Sequence, residues 1–316
     1  MLPTESAEFP IYKLLTSLEE QPETLGSKEK FWISPTAGQN LPEEPHLFKI
    51  GRPNTGENWS EKVCCELAIL AGLPCASYEF AETEGGTKGV LSRRFIDKAS
   101  RLILGNMLLA RLTPGYDGTQ TYNQIRYTLA NVLKLLRRLP LEGTSFEGLT
   151  MKAVDLFVGY LVFDAWIGNT DRHHENWGVI VTMGGVNDFV ARLAPTFDHA
   201  SSLGRELSDD KRALRLSTHD RRANVAAYAA RTCSAFFTDG PEPKPLLMRA
   251  MLAQLRWSNP KMMKFWASRI CAISSELVEN VFSRVNRSWI SPQAVEFAAA
   301  LLAENAGVIR EVCLDR

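Results

Sequence analysis

No stretch of this chain stays apolar for the roughly 18 residues that a membrane helix needs. Its first residues, MLPTESAEFPIYK, lack a basic start followed by an apolar run, so neither insertion nor secretion is expected. Net charge is missing as well. Lys plus Arg and Asp plus Glu both number 36, so no whole-molecule field draws the protein onto nucleic acid or an anionic membrane, and strong direct nucleic-acid binding is not expected. Cysteine is scarce. Cys64, Cys65, Cys75, Cys233, Cys271 and Cys313 form no C-x-x-C pair and keep no regular spacing, which argues against a disulfide framework or a zinc site and for free thiols in a reducing, cytoplasmic setting. Internal repeats and low-complexity tracts are also absent.

What is present is ordinary globular composition. The 316 residues are 45% hydrophobic and 23% charged, enough for one large domain or two lobes. The first hundred or so residues read as mixed strand and helix, the later ones mainly as helix. HLFKIG, bounded by Pro45 and RPNTGEN, reads as a strand. A helix should follow, with Ser60 as its N-cap, Val63, Leu67 and Leu70 at helical spacing, and Gly72 and Pro74 as its stop. GVLSRRFID is the next strand. Helical periodicity then covers Tyr122 to Leu139 and Met151 to Ile167, and the runs around Gly184 and Gly185 read as a hairpin. Helices close the chain beyond Pro245.

Between the second helical run and the hairpin lies GNTDRHHENWGVI, the densest polar cluster of the sequence, framed by apolar residues on both sides. Three readings compete for it: a polar surface loop, a metal-dependent hydrolase using His173, His174 and His199, and phosphoryl transfer. Adjacent histidines diverge, and no H-x-x-x-H helix pair exists. Phosphoryl transfer needs an Asp for the proton of the attacking hydroxyl, an Asn for a metal ion, and a second Asp on a separate element. Asp171 and Asn176 have the D-x-x-x-x-N spacing of a kinase catalytic loop. Asp198 follows the hairpin in PTFDHASSLG.

Together, IGNTDRHHENWGV and LAPTFDHASSLG resemble the catalytic and metal loops of the HipA-like serine/threonine kinases, often the toxins of bacterial toxin-antitoxin systems. The D-R-H-x-x-N core also resembles phosphoinositide kinases. LGSKEKFWI resembles the family's phosphate loop, LFKI its nucleotide-binding strand, and SEKVCCELAILAGLP its small-lobe helix. The resemblance runs from about residue 20 to residue 205 and implies an α+β, two-lobed protein-kinase-like fold. Residues 1–97 would form a small mixed N-lobe that binds nucleotide, and 98–316 a larger, mostly helical C-lobe. The chain resembles the short, core-kinase form without an extra N-terminal subdomain.

The resemblance also implies roles. Asp171 would be the catalytic Asp, with His173 beside it as proton carrier or structural hydrogen-bonder. Asn176 and Asp198 would hold Mg2+. Lys49 would contact the α- and β-phosphates of ATP, and either Glu61 or Glu66 would orient it. Gly26 and Ser27 would cover the phosphates with backbone amides while Lys30 adds charge. Arg93 to Phe95 would offer main-chain groups to the adenine, although the family commonly has an acidic residue where Arg93 stands. Thr24 or Ser27 is the expected autophosphorylation site, with Glu23 as a partial charge mimic. The implied partners are a cytoplasmic protein substrate, such as an aminoacyl-tRNA synthetase, and an antitoxin protein. A solvated helical face is the favoured reading of residues 205–231; in the other, Arg212, Arg215, Arg221 and Arg222 receive an acidic or nucleic-acid-bearing partner. A small-molecule or phosphoinositide kinase and a non-catalytic nucleotide-binding module are the rival functions.

Overall fold

The computed structural model describes residues 7–14, 20–22, 29–33, 44–185 and 188–315. In chain order the strands are β1 (Ile11–Leu14), β2 (Glu20–Pro22), β3 (Lys30–Ile33), β4 (His46–Ile50), β5 (Tyr78–Thr83), β6 (Lys88–Arg93), β7 (Ser100–Leu104), β8 (Thr144–Phe146), β9 (Leu149–Met151), β10 (Gly178–Gly185), β11 (Asp188–Leu193), β12 (Cys233–Phe237) and β13 (Pro245–Leu247). The α-helices are α1 (Glu57–Ala71), α2 (Gly105–Leu112), α3 (Leu129–Arg138), α4 (Ala153–Ile167), α5 (Asp209–Ser217), α6 (Val225–Arg231), α7 (Met248–Ser258), α8 (Pro260–Cys271), α9 (Ser275–Ser283) and α10 (Pro292–Ile309). This mixed content is the expected α+β class. The chain divides into two compact units, one of Met1–Phe95, Asp198–Val225 and Ile273–Leu301, the other of Ile96–Phe197, Ala226–Ala272 and Leu302–Arg316. Among the described residues no helix is long and apolar enough to cross a membrane.

The first unit is built on a six-stranded sheet in the order β1-β5-β6-β4-β3-β2. All pairings are antiparallel except β1 with β5. In β4, Phe48 is fully buried and packs with Leu14, Ile33, Ala81 and Leu91. Because side chains alternate along a strand, burying Phe48 on one face commits Lys49 to the other. Register then places Lys30 of β3 directly opposite Lys49. Helix α1 starts four residues earlier than its sequence suggests. Gly56, not Ser60, occupies the N-cap, and Glu57 supplies the negative charge that a helix N-terminus favours. Ser60 is instead fully buried inside the helix and donates its hydroxyl to the Ser202 carbonyl at 3.1 Å. At the far end Gly72 adopts the left-handed conformation and caps the helix, as a stop at that glycine requires. Arg212 of α5 is buried, bonded to Asp209 at 2.8 Å and to the Gly204 carbonyl at 3.1 Å. That removes it from the set of arginines offered to a partner.

The second unit centres on α4, all of whose fifteen residues except Asp155 are buried. A helix apolar all round belongs in a core. Gly159 lets it lie against Trp266 of α8, since a Cβ there would meet the indole at 2.5 Å. Strands β7, β10 and β11 form a sheet in the order β11-β10-β7, with β10 and β11 as the hairpin expected around Gly184 and Gly185. The helix expected from Tyr122 onward begins only at Leu129, capped by the Thr128 hydroxyl, which accepts from the Asn131 N–H. Polar side chains win the preceding backbone. Asn123 takes a positive φ, Gln124 accepts the Arg126 N–H, and Asn131 donates to the Arg126 carbonyl.

Candidate active site

Two clusters hold the residues singled out by sequence, one in each unit. In the second, Gly168 ends α4 in the left-handed conformation (φ 67°) and turns the chain out of the helix. The loop that follows is held from beneath. Arg172 and Asp164, both 1% exposed, form a bidentate pair at 2.8 Å through each nitrogen. The same guanidinium donates to the carbonyls of Asn176 (2.7 Å) and Phe197 (2.9 Å) and to the Thr196 hydroxyl (2.8 Å). Burial alone would depress the charged form of Arg172, but Asp164 more than reverses this and its pKa is raised. Asp164 also accepts from the Asn169 amide, whose oxygen in turn accepts the Asp171 N–H at 3.0 Å.

Asp171 and Asn176 are joined directly. The Asn176 side-chain amide donates to the Asp171 carbonyl at 2.7 Å, which turns its Oδ1, the atom a hard cation takes, away from that bond. The Asp171 side chain is 32% exposed, with Oδ1 3.7 Å from Nε2 of His173. His173 also accepts the Glu175 N–H through Nδ1 at 3.2 Å. Its neighbour diverges: His174 faces inward, its Nδ1 2.6 Å from the Tyr116 hydroxyl. Burial first, and the nearby His173 second, lower the His174 pKa to about 4, so it stays neutral near pH 7. Among the described residues no group of three or more His, Cys, Asp and Glu side chains gathers as a metal site.

In the first unit, Lys49 stands between two carboxylates, with Nζ 3.7 Å from Glu61 and 3.8 Å from Asp198. The sequence left Glu61 and Glu66 open; the structure brings Glu61 to Lys49, while Glu66 pairs with Lys62 at 2.8 Å. Glu61, 1% exposed, also accepts the His199 N–H at 2.7 Å and so fixes the segment carrying Asp198. Asp198 adopts a left-handed backbone (φ 57°), uncommon for a non-glycine residue. Its N–H donates to the Tyr78 hydroxyl at 3.1 Å, and the Tyr78 ring lies 5.2 Å from the Lys49 ammonium. Burial works against the charged Lys49, yet Asp198, Tyr78 and Glu61 together raise its pKa. Lys49 therefore remains a cation.

The other expected residues are placed less closely. Lys30 faces Lys49 across the strand pair. Arg93, exposed at the end of β6, pairs its guanidinium with Glu44 at 2.7 Å, so its side chain is committed to that carboxylate. Phe95 is half-buried beyond β6. Glu23, Thr24, Gly26 and Ser27 lie outside the described residues. Three supports were not singled out by sequence: Tyr78 behind Lys49, Asp164 beneath the loop, and Tyr127, whose hydroxyl donates to the Arg172 carbonyl at 2.8 Å. A carboxylate one helical turn before Gly168 and seven residues before Asp171 was the available clue for Asp164.

The architecture is that of a protein-kinase-like fold. The chain superposes on the Helicobacter pylori proinflammatory kinase CtkA with a TM-score of 0.71 at 20% identity, over 94% of this chain and 95% of that one. HipA of the Shewanella oneidensis MR-1 toxin-antitoxin system, solved with HipB and its operator DNA, matches with a TM-score of 0.52 at 13% identity, over 93% of this chain and 65% of that one. No curated protein matches the chain significantly. The model of the HipA-like C-terminal domain matches residues 23–256, and the chain belongs to that family.

Proposed function

We propose that the protein is an ATP- and Mg2+-dependent serine/threonine protein kinase of HipA type, acting in the cytoplasm as a toxin-like enzyme and able to phosphorylate itself. The observation that carries this reading is the joint fixation of Asp171 and Asn176, with the Asp171 carboxylate partly exposed and the Asn176 side chain held through its amide nitrogen, not its oxygen. In the transfer, the acceptor hydroxyl bonds to the γ-phosphorus, the bond from that phosphorus to the β,γ-bridging oxygen breaks, ADP leaves, and the hydroxyl proton passes to Asp171. His173 stands beside Asp171 to share or orient that proton. Asn176 and Asp198 would hold Mg2+, which supplies charge neutralisation at the phosphates.

Lys49, kept charged by Glu61 and Asp198, suits the α- and β-phosphates. Lys30, opposite Lys49 in the strand register, is assigned the added positive charge at the phosphates. Gly26 and Ser27 are assigned the phosphate loop, and the main chain from Arg93 to Phe95 the adenine edge. In this reading residues 1–97 act as the nucleotide-binding lobe and 98–316 as the catalytic lobe. HipA from Shewanella was solved with HipB, which supports an antitoxin protein as partner here; the substrate would be a cytoplasmic protein such as an aminoacyl-tRNA synthetase. The test is intact-mass analysis after incubation with ATP and Mg2+. Added phosphate on the protein or on a supplied protein acceptor, absent in Asp198→Ala, is expected, and tandem spectra should place self-labelling on Thr24 or Ser27. Nucleotide binding with no transfer to any acceptor would contradict the enzyme reading.

A further inference from the structure

Beside Asp171, wholly within the second unit, lies a cavity of about 160 Å3. Its walls come from three segments: the loop with Asp171 and His173, the stretch before α3 with Tyr122, and the β12–β13 hairpin with Ser234, Phe237 and Pro245. These walls are tied together rather than merely adjacent. The Phe237 N–H donates to the Tyr127 carbonyl at 3.0 Å, and the Tyr127 ring stacks on Phe236 at 4.6 Å. The Tyr127 hydroxyl donates to the Arg172 carbonyl and accepts from the Trp177 indole N–H at 3.0 Å. One buried tyrosine therefore locks the hairpin to the loop that carries Asp171. The Ser234 hydroxyl is spent on the Leu246 carbonyl at 2.9 Å.

Size and charge define the occupant. Pockets that engulf a whole small molecule are usually about 300–1,000 Å3, so this one suits a single side chain. Its lining includes the Asp171 carboxylate and neither lysine nor arginine. A phosphate- or carboxylate-bearing acceptor would meet repulsion from that carboxylate, with no lysine or arginine to offset it. Tyr122, 57% exposed, closes one side with its ring edge-on to His173 at 5.5 Å, while Phe237 and Pro245 offer apolar faces on another. We infer that this cavity is a specificity pocket for an extended protein segment, receiving the uncharged apolar residue next to the acceptor serine or threonine. The inference rests on the proposed transfer reaction and narrows its acceptor. It disfavours anionic small molecules and proteins whose acceptor is flanked by acidic residues.

The experiment uses two sets of synthetic peptides, one with a central serine and one with alanine in its place, each carrying Leu, Gln, Lys or Asp in turn at the adjacent positions. With the serine set, kcat/KM should favour Leu over Asp by about tenfold or more. Tyr122→Arg and Pro245→Arg, both at exposed positions from separate walls, should each narrow or reverse that ratio. Two variants keep the test open if one fails to fold. Equal use of Leu and Asp peptides, or a ratio that neither variant moves, overturns the pocket, as does a wild type that labels itself yet phosphorylates no peptide. The alanine set, read by fluorescence anisotropy without nucleotide, separates the two claims. If no ATP is consumed, the transfer reading falls; the pocket then stands if the Leu peptide binds more tightly than the Asp peptide and Tyr122→Arg reverses the order, and falls if it does not.

Discussion

The two clusters of candidate residues are made in opposite ways. The loop with Asp171 and Asn176 is mainly local: most of its donors and acceptors lie within the thirteen residues from Asp164 to Asn176, where one buried arginine is bonded to both ends, and Tyr127, Thr196 and Phe197 add outside support. The Lys49 cluster is assembled from β4, α1, β5 and the segment at Asp198, which are distant in sequence, and nothing within any one of them dictates the geometry. A local loop can hold its shape through a few strong bonds. An assembled cluster depends on the packing of every element that contributes to it. The first should therefore fail at single residues, the second by degrees.

Predictions follow that contrast in order of size. Asp171→Ala should lower phosphate transfer by about 10²–10⁴-fold while the melting curve stays near wild type, because its side chain is partly exposed and the loop is pinned through the backbone. Lys49→Met should reduce kcat/KM by about 10²–10³-fold, the loss expected when a preorganised charge partner is removed. Glu61→Gln should cost less, since Asp198 still faces the ammonium. Steady-state kinetics on both variants would show whether the assembled cluster degrades gradually. Arg172→Met leaves Asp164 buried without its counter-ion and should cost about 3–5 kcal/mol in stability, read by denaturant unfolding. A change below about 1 kcal/mol would mean the loop does not depend on that pair.

The smallest effect is a pH slope. His174 has a folded pKa of about 4, below the ordinary value of about 6.5, so as pH falls the unfolded chain takes up this proton first. Its contribution is complete above about pH 6.5 and is lost as pH falls toward about 4. His174→Gln should flatten the dependence of melting temperature on pH within that window. An unchanged slope would show that other groups set it.

Much of this was legible in the sequence because it is local. Strand β4, the hairpin of β10 and β11, the Gly72 stop and the loop after Gly168 all rest on short patterns. What sequence could not supply was competition between local signals and tertiary packing. Ser60 has the chemistry of an N-cap but is drawn into the interior by Ser202. Residues 122–128 have helical spacing, yet Asn123 takes a positive φ and the Gln124 and Asn131 side chains bond the Arg126 backbone instead. Arg212 sits in a charged stretch whose polarity suggests exposure, and it is buried. Glu61 and Glu66 differ by little over one turn of α1, and only the fold separates the partner of Lys49 from the partner of Lys62. Likewise Tyr78 carries no motif; its part follows from lying beneath both Lys49 and Asp198.

The most direct measurement is a time course of phosphate transfer from γ-labelled ATP with Mg2+, comparing wild type, Asp171→Ala and Asp198→Ala under conditions where all three are folded. The account predicts labelled protein with wild type and near silence from both variants, while Asp171→Ala still binds ATP. Transfer by Asp171→Ala at the wild-type rate would contradict it.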